Sequence, residues 1–185
     1  EHLIAMIAFS LKQRNLLKSN KVVSTVMANL SLEKYFESIG IELIRTNVGD
    51  RYVYEEMTKT GSNFGGEPSG HLIINDFSTT GDAIISSLQV LSLLIEKNKP
   101  ISELTNLFTL TKQINHEVKI GKKNISNKTL EDLSLKMREK IGNEGRLIIR
   151  KSGTEPLIRI MVETDNHELG NKLINEIKSS LDFLS

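Results

Sequence analysis

The residues with the clearest chemical potential lie in one seven-residue segment, 150–156 (RKSGTEP). Arg150 offers a planar guanidinium that can bind two phosphate oxygens at once. Ser152 and Thr154 supply hydroxyl donors, and Gly153 permits a tight turn in which backbone N–H groups converge on an anion. A plain hairpin turn has a similar composition, so these residues alone leave phosphate binding and a structural turn both open.

Two apolar runs flank this segment and predict the strands that position it. In the second run, Ile158, Ile160 and Val162 alternate with Arg159, Met161 and Glu163. A period of two predicts a strand with one buried face. Arg159 then points away from the core, where it could add a second guanidinium to the segment.

A second segment, 66–71 (GEPSGH), carries groups suited to a polyhydroxylated ligand. Glu67 can accept hydrogen bonds from two vicinal hydroxyls, and Ser69 can donate or accept. His71 can donate a hydrogen bond or carry a proton. The alternative is a glycine-rich hairpin in which His71 only packs or faces water.

The two segments, in this order, resemble two loops of the α-D-phosphohexomutase superfamily. GEPSGH is similar to its sugar-recognition loop, and RKSGTEP is similar to its phosphate-binding loop. A third segment, 46–53 (TNVGDRYV), resembles the substrate-facing loop of its third domain. Within the superfamily, VGDRYV and RKSGTEPLIR are most similar to the bacterial phosphoglucosamine mutases, and the resemblance runs along essentially the whole chain.

The resemblance implies an isomerase that interconverts glucosamine 6-phosphate and glucosamine 1-phosphate through a bisphosphorylated sugar. Its product would serve amino-sugar nucleotide and cell-wall precursor synthesis in the cytoplasm. The implied sugar-binding residues are Asp50, Arg51, Glu67, Ser69 and His71. The implied phosphate-binding residues are Arg150, Ser152, Gly153, Thr154 and Arg159. His71 would lie near the transferred phosphate in a supporting role, with a purely structuring role as the alternative.

Two parts of the superfamily's machinery have no counterpart in this sequence: the phosphoserine of its first domain and the Asp-x-Asp-x-Asp Mg²⁺ loop of its second. Because the chain also starts at Glu1 and runs straight into an apolar segment, we expect the C-terminal half of such an enzyme. Its partners would be a phosphosugar and the N-terminal domains, and a homodimer of the full-length enzyme stays open. The fragment alone would be inactive, with no catalytic residue of its own.

The histidines and cysteines argue against a metal site within the chain. The four histidines are His2, His71, His116 and His167, and none has metal-ligand spacing with another histidine or a carboxylate. The absence of cysteine excludes disulfides and thiolate sites and fits a cytosolic protein. We therefore expect any Mg²⁺ to bind the absent domain of the full-length enzyme.

Composition narrows the function classes. The 185 residues are 38% hydrophobic and 25% charged, which is ordinary for a globular protein. A formal net charge of +1 gives no global electrostatic case for nucleic acid or a membrane surface. Two other functions stay open beside the first: half of a phosphomannomutase or phosphoglucomutase, and a non-catalytic phosphosugar-binding module.

The predicted fold is α/β plus α+β. Alternating helices and strands predict a three-layer α/β domain over residues 1–105, with the sugar-binding loop. A β-α-β-β-α order predicts a small α+β domain over residues 106–185, with two helices on one face of an antiparallel sheet. A hinge between about Pro100 and Leu110 would let the second domain close over the ligand.

Individual elements follow from local patterns. We expect a helix over residues 3–17, a strand over 108–120, and a helix near 130–141 with Thr129 and Asp132 as a capping box. Asp50 is either the N-cap of a helix over 51–60 or a ligand contact. One further helix opens at Asp82, where four apolar residues recur at helical spacing: Ile84, Leu88, Leu91 and Ile95. Leu184 closes the apolar pattern of the last helix.

Overall fold

The computed structural model describes residues 1–120, 125–152 and 155–183, and the chain divides into two units, Glu1–Leu110 and Thr111–Ser185. In the first unit the helices are α1 (His2–Gln13), α2 (Leu30–Ser38), α3 (Asp50–Thr60), α4 (Ala83–Lys97) and α5 (Ile101–Leu104). Its strands are β1 (Lys21–Thr25), β2 (Glu42–Thr46), β3 (Phe64–Gly66) and β4 (Leu72–Ile74). None of the described helices is both long and apolar enough to cross a membrane.

The sheet of the first unit has the order β2-β1-β3-β4. Strand β1 runs parallel to β2 and β3, and β4 is antiparallel to β3. Consecutive strand residues point to opposite faces: Val22 packs with side chains of α1, α2 and α4, whereas Val23 packs with side chains of α3. Helices thus cover both faces, which confirms the predicted α/β layering.

Two predicted helix boundaries in this unit are wrong. Helix α1 ends at Gln13 rather than at residue 17, because Asn15 takes a left-handed φ of 56°. The N–H groups of Leu16 and Leu17 then both donate to the carbonyl oxygen of Leu11, at 2.8 and 3.1 Å. Helix α3 takes Gly49 as its N-cap, so Asp50 is its first residue and not the cap.

Helix α4 forms where its spacing predicts. The Asp82 carboxylate caps it by accepting from the N–H groups of Ile84 and Ile85 at 2.8 and 2.9 Å. The four apolar residues from which the helix was predicted, however, are exposed and do not enter the core. The core is reached instead by Leu93, which is buried, and by the half-buried Val90. The apolar spacing therefore predicted the helix correctly without identifying its buried side.

The second unit contains β5 (Gln113–Lys119), α6 (Asn127–Ile141), β6 (Gly145–Lys151), β7 (Leu157–Thr164) and α7 (His167–Phe183). The sheet is antiparallel in the order β5-β7-β6. Buried residues of α6 and α7 share one cluster with Leu147, Ile158 and Ile160 of the strands. Both helices therefore cover the same face of the sheet, as the sequence predicted.

Strand β5 is shorter than the predicted strand over 108–120. Phe108 belongs to the first unit, where its ring stacks on His2 and Tyr35 at centroid distances of 4.8 and 5.3 Å. A residue that packs in one core cannot also extend a strand of the other. The strand therefore begins only at Gln113.

Two other expectations for this unit need correction. The N-cap of α6 is Ser126, whose hydroxyl accepts from the Thr129 N–H at 3.0 Å, so the capping box at Thr129 is wrong. Strand β7 is central, and Met161 and Glu163 on its second face are also buried. The buried Glu163 carboxylate forms an ion pair with Arg146, whose Nε lies 2.8 Å from Glu163 Oε2. Leu184 lies outside the described residues.

Candidate functional site

Two loops of the first unit meet at the carboxyl edge of its parallel strands. Residues 47–49 follow β2, and residues 67–71 follow β3. In α/β sheets this edge is where ligands usually bind, because the strand ends leave a crevice there. The topology thus brings together two segments that are separated in sequence.

Glu67 joins the two loops. Its side chain is buried, and Oε1 accepts a hydrogen bond from the backbone N–H of Gly49 at 3.0 Å. The residue before it is also held, since the hydroxyl of Ser24 donates to the Gly66 carbonyl oxygen at 2.6 Å. A carboxylate has two acceptor oxygens. Glu67 can therefore brace Gly49 and still offer Oε2 to a ligand.

The loop over residues 67–71 is closed by its own backbone. The Glu67 N–H donates to His71 O at 2.8 Å, and the Gly70 N–H donates to Glu67 O at 2.9 Å. Gly70 has a φ of 103°, which a side chain would oppose. Ser69 and His71 are exposed, and Ser69 Oγ lies 3.4 Å from His71 Nδ1. Both side chains remain accessible to a ligand.

Asp50 and Arg51 stand at the start of α3, immediately after Gly49. Asp50 Oδ1 accepts from the Arg51 N–H at 2.7 Å. The Arg51 guanidinium is 82% exposed and donates to Glu55 at 2.7 Å, and this hydrogen bond raises the pKa of Arg51 above its ordinary value. Arg51 is thus held along its own helix, and a ligand would have to compete with Glu55 for it.

A polar cleft of about 350 Å³ opens beside these loops. Its lining residues are Val26, Arg45, Thr46, Asn47, Tyr52, Glu55, Glu56 and Lys59. Asn47 and Tyr52 come from the segment 46–53, but the five predicted sugar-binding residues do not line this cleft. The structure links the two predicted loops through Glu67 rather than through one enclosed cavity.

Sequence reasoning missed two residues that shape this region. Ser24 is a buried hydroxyl within β1 that fixes the carbonyl of Gly66. Gly81 lies against His71: a methyl group placed on Gly81 would be 3.5 Å from the His71 Cβ. A polar residue following two strand valines was a detectable signal for Ser24. Nothing in the local sequence indicated the contact at Gly81.

The predicted phosphate site lies at the β6–β7 hairpin of the second unit. Arg150 and Arg159 are directly opposite each other on the two strands. Opposite residues of an antiparallel pair share a face, so the two arginines lie on one side of the hairpin. Ser152 begins the loop, and its N–H donates to Leu157 O at 2.8 Å. Gly153 and Thr154 lie outside the described residues.

Two carboxylates balance the charge of Arg159. Its Nη2 donates to Glu155 at 3.3 Å, and its Nε lies 3.3 Å from a Glu117 oxygen without hydrogen-bonding alignment. Among the residues that the structure describes, no carboxylate forms an ion pair with Arg150. Arg150 is therefore the more available cation of the two, and Arg159 is partly neutralised before any anion binds.

Neither candidate site includes a cluster of metal-binding side chains among the residues that the structure describes. Across residues 1–120, 125–152 and 155–183, no group of three or more histidines, cysteines or acidic residues is arranged to hold a metal ion.

The two units have an α/β and an α+β fold, and comparison with known families agrees with both. Residues 1–111 match the model for the α/β/α domain III of phosphoglucomutases/phosphomannomutases, and residues 104–180 match the C-terminal domain of the same family. The chain belongs to the phosphoglucomutase/phosphomannomutase family. The matching domains are those that the sequence predicted.

Two curated relatives are phosphoglucosamine mutases. The phosphoglucosamine mutase of Gluconacetobacter diazotrophicus is 40% identical over 183 residues, and that of Brucella ovis is 45% identical over 178 residues. The alignments cover 98% and 96% of this chain but 40% of each relative. The chain thus spans about two fifths of the length of the curated relatives it matches.

A solved structure supports the fold. The N-acetylphosphoglucosamine mutase of Aspergillus fumigatus aligns with a TM-score of 0.77 at 19% identity, over 99% of this chain and 43% of that protein. A second structure of that enzyme, in complex with GlcNAc-6P and magnesium, aligns with a TM-score of 0.75 over 97% of this chain and 45% of that one. At this identity the likeness establishes the fold alone.

Proposed function

We propose that the chain provides sugar and phosphate recognition in a phosphoglucosamine mutase, which interconverts glucosamine 6-phosphate and glucosamine 1-phosphate through a bisphosphate. The observation that carries the proposal is the pair of arginines that share one face of the β6–β7 hairpin, on the strands that flank the loop begun by Ser152. This grouping has the donors and positive charge that a phosphate dianion requires. The names of the curated relatives favour the glucosamine substrate.

Sugar recognition would come from the two loops at the carboxyl edge of the first sheet. Glu67 Oε2 would accept from sugar hydroxyls, while Oε1 keeps its bond to Gly49. Ser69 and His71 would reach the sugar from the exposed rim of the same loop. Asp50 and Arg51 would approach from the start of α3.

Phosphate recognition would come from Arg150, Ser152, Gly153, Thr154 and Arg159. A bisphosphate must reorient so that either end can react, and this segment would hold whichever phosphate is not reacting. Its binding energy would then serve to position the sugar. A grip that contacts only the phosphate suits both orientations equally well.

The remaining machinery would lie in the rest of a longer protein. Its N-terminal domains would carry the phosphoserine and the residues that bind Mg²⁺, which would help to neutralise phosphate charge during transfer. This chain would be inactive by itself, and the enzyme would work in the cytoplasm. A boundary near residue 105 would separate the sugar-binding and phosphate-binding domains.

The test is a titration of the 185-residue chain with glucosamine 6-phosphate, followed by NMR or calorimetry. Arg150→Ala should weaken binding by about 10- to 150-fold, since hydrogen bonds to charged groups contribute about 1.5–3 kcal/mol. The matched control is Arg138→Ala, an exposed arginine of α6, which should leave binding unchanged.

Three outcomes would contradict parts of the proposal. Equal binding by wild type and Arg150→Ala would remove the phosphate site from the hairpin. Mutase turnover by this chain alone would show that the phosphoryl donor is not elsewhere. Tighter binding of mannose 6-phosphate or glucose 6-phosphate than of glucosamine 6-phosphate would favour the phosphomannomutase or phosphoglucomutase alternative.

A further inference from the structure

Helices α6 and α7 of the second unit line a groove that carries three lysines. The groove has a volume of about 640 Å³. Lys136 and Lys140 of α6 line it together with Lys172 of α7, and the buried Met137 lies at its base. Sites for small molecules commonly have volumes of roughly 300–1,000 Å³. The groove is therefore large enough for one small ligand, and its lysines favour an anion.

One carboxylate already lies among these lysines. Lys140 Nζ donates to Glu176 Oε2 at 2.5 Å. This hydrogen bond holds the pKa of Glu176 below its ordinary value, and the charges of Lys172 and Lys136 act in the same direction. The pKa of a carboxyl group falls where its surroundings favour the negative form. The groove thus stabilises an anion that belongs to the chain itself.

Positive charge remains in excess after this ion pair forms. In the part of the chain that the structure describes, neither Lys136 nor Lys172 forms an ion pair with a carboxylate. Both residues are exposed. Neutral donors stand beside them, since the exposed Asn175 and Ser179 also line the groove. Two ammonium groups, an amide and a hydroxyl are available to an anion that enters.

We propose that this groove binds a small molecule that carries linked phosphate groups. A lysine ammonium binds phosphate as a compact point charge. Lys136 and Lys140 are one helical turn apart, about 6 Å at 1.5 Å per residue, and Lys172 lies on the other helix. A chain of two or three phosphates presents oxygens along its length and on several sides, so it can contact lysines of both helices at once.

The lining of the groove favours a small phosphorylated molecule over an acidic helix. A helix that docks in a groove does so through an apolar face. Among the described residues that line this groove, Met137 is the only apolar one, and it is 1% exposed. A charged rim without an apolar seat suits a ligand that binds through its phosphates.

This groove is separate from the proposed phosphate site at the β6–β7 hairpin. Ile158 and Ile160 pack in one cluster with side chains of α6 and α7, so Arg159 between them lies on the opposite face of the sheet. The groove belongs to the helices that cover the first face. Both sites can therefore be occupied at the same time, and the groove does not depend on the proposed mutase function.

The test is a titration of the 185-residue chain with inorganic triphosphate, followed by NMR and calorimetry. The titration uses Arg150→Ala as its background, because this change removes the more available cation of the hairpin. The amide signals of residues 136–140 and 172–180 should shift as the ligand is added. Binding should weaken as the salt concentration rises, since exposed charges are screened.

Substitutions in the groove should have effects of opposite sign. Lys136→Gln and Lys172→Gln should each weaken binding by about two- to fivefold, which is the effect of one exposed ion pair. Glu176→Gln should tighten binding by a similar factor, because it releases Lys140 for the ligand. Lys128→Gln is the matched control, since it removes an exposed lysine of α6 outside the groove and changes the net charge equally. It should leave binding unchanged.

A parallel titration with ATP distinguishes two sources of the phosphates. Equal affinity for ATP and inorganic triphosphate would mean that the phosphate chain alone is recognised. Tighter binding of ATP would identify a nucleotide as the ligand. Either result supports the proposal, and adenosine, which has no phosphate, should not bind.

Three results would overturn the proposal. If millimolar triphosphate shifts no signal of α6 or α7, the groove does not hold phosphates. Equal affinities of Lys136→Gln and Lys128→Gln would reduce the effect to the net charge of the chain. Tighter binding of a polyglutamate peptide than of triphosphate would assign the groove to a protein partner. None of these results decides the proposed mutase function, which is tested by glucosamine 6-phosphate binding at the hairpin.

Discussion

The hydrogen bond between Glu67 and Gly49 should decide whether the loops over residues 47–49 and 67–71 keep their relative position. It joins residues 18 positions apart, at 3.0 Å, and the acceptor is a buried carboxylate. Glu67→Leu removes the acceptor while it keeps most of the side-chain volume. Glu67→Gln removes the charge but retains an oxygen that can accept from Gly49.

The expected magnitudes differ between the two variants. A hydrogen bond to a charged group contributes about 1.5–3 kcal/mol, and about 1.4 kcal/mol corresponds to a factor of ten. Glu67→Leu should therefore lower the local protection of the Gly49 amide by about 10- to 150-fold. Glu67→Gln should lower it by less than about tenfold, because a neutral hydrogen bond of about 0.5–1.5 kcal/mol remains.

The assay is amide hydrogen exchange of the 185-residue chain followed by NMR, which reports opening residue by residue. The NMR chemical shifts of the Asp50 and Arg51 amides should also change in Glu67→Leu, because these residues follow Gly49 directly. Ser69→Ala is the control, since its hydroxyl lies 3.4 Å from Nδ1 of the exposed His71 ring and is not a partner of Gly49.

The reasoning would be refuted if Gly49 exchanged at the same rate in the wild type and in Glu67→Leu. That result would mean that the 46–50 loop is positioned without Glu67. A second outcome concerns ligand binding. If Glu67→Gln keeps the Gly49 protection but loses phosphosugar binding, the free carboxylate oxygen contacts the sugar in addition to its bracing role.

Three further changes test other parts of the structure. Glu155→Gln should strengthen phosphate binding by up to about fivefold in a calorimetric titration, because an exposed ion pair of about 0.2–1 kcal/mol no longer competes for Arg159; weaker binding would contradict this. The ion pair with Lys18 holds the pKa of Asp76 below its ordinary value. The stabilisation that this ion pair gives the folded state is therefore present above the unfolded pKa of the carboxyl group, near 3.9, and is lost as the pH falls through the folded pKa. Asp76→Asn should thus lower the free energy of unfolding by less than about 1 kcal/mol at pH 7 and by a smaller amount at pH 2, and an equal loss at both pH values would refute the linkage. Gly65→Ala would place a methyl carbon 2.7 Å from a methionine sulfur and 2.8 Å from a strand carbonyl oxygen, and the overpacking should cost about 1–3 kcal/mol in denaturant unfolding.

At the β6–β7 hairpin, the alternation of apolar and polar residues was enough to predict the face on which Arg159 lies. The alternation after residue 156 places Arg159 on the face away from the helices, whereas its position opposite Arg150 is known only from the strand register. Only the face follows from the period of two in a strand. That Glu117 would also reach Arg159 could not be predicted, because β5 pairs with β7 over more than 40 residues of sequence.

The predicted element boundaries were wrong where local sequence did not decide between alternatives. Residues 108–112 have the composition of a strand, yet Phe108 stacks on two rings of the first unit. The capping box at Thr129 was plausible locally, but Ser126 was three residues earlier and could cap just as well. Local propensity ranks such choices weakly, and packing decides between them.

By itself, the sequence determined the family, the order of the two domains, and the loops that carry the candidate chemistry, because each rests on residue types and spacing along the chain. Tertiary structure alone decided that Glu67 braces Gly49 and that Arg159 is already charge-balanced. It also decided that the apolar stripe of α4 faces outward. These facts depend on which residues the fold brings together across tens of positions, and an apolar pattern specifies a helix face without specifying what that face meets.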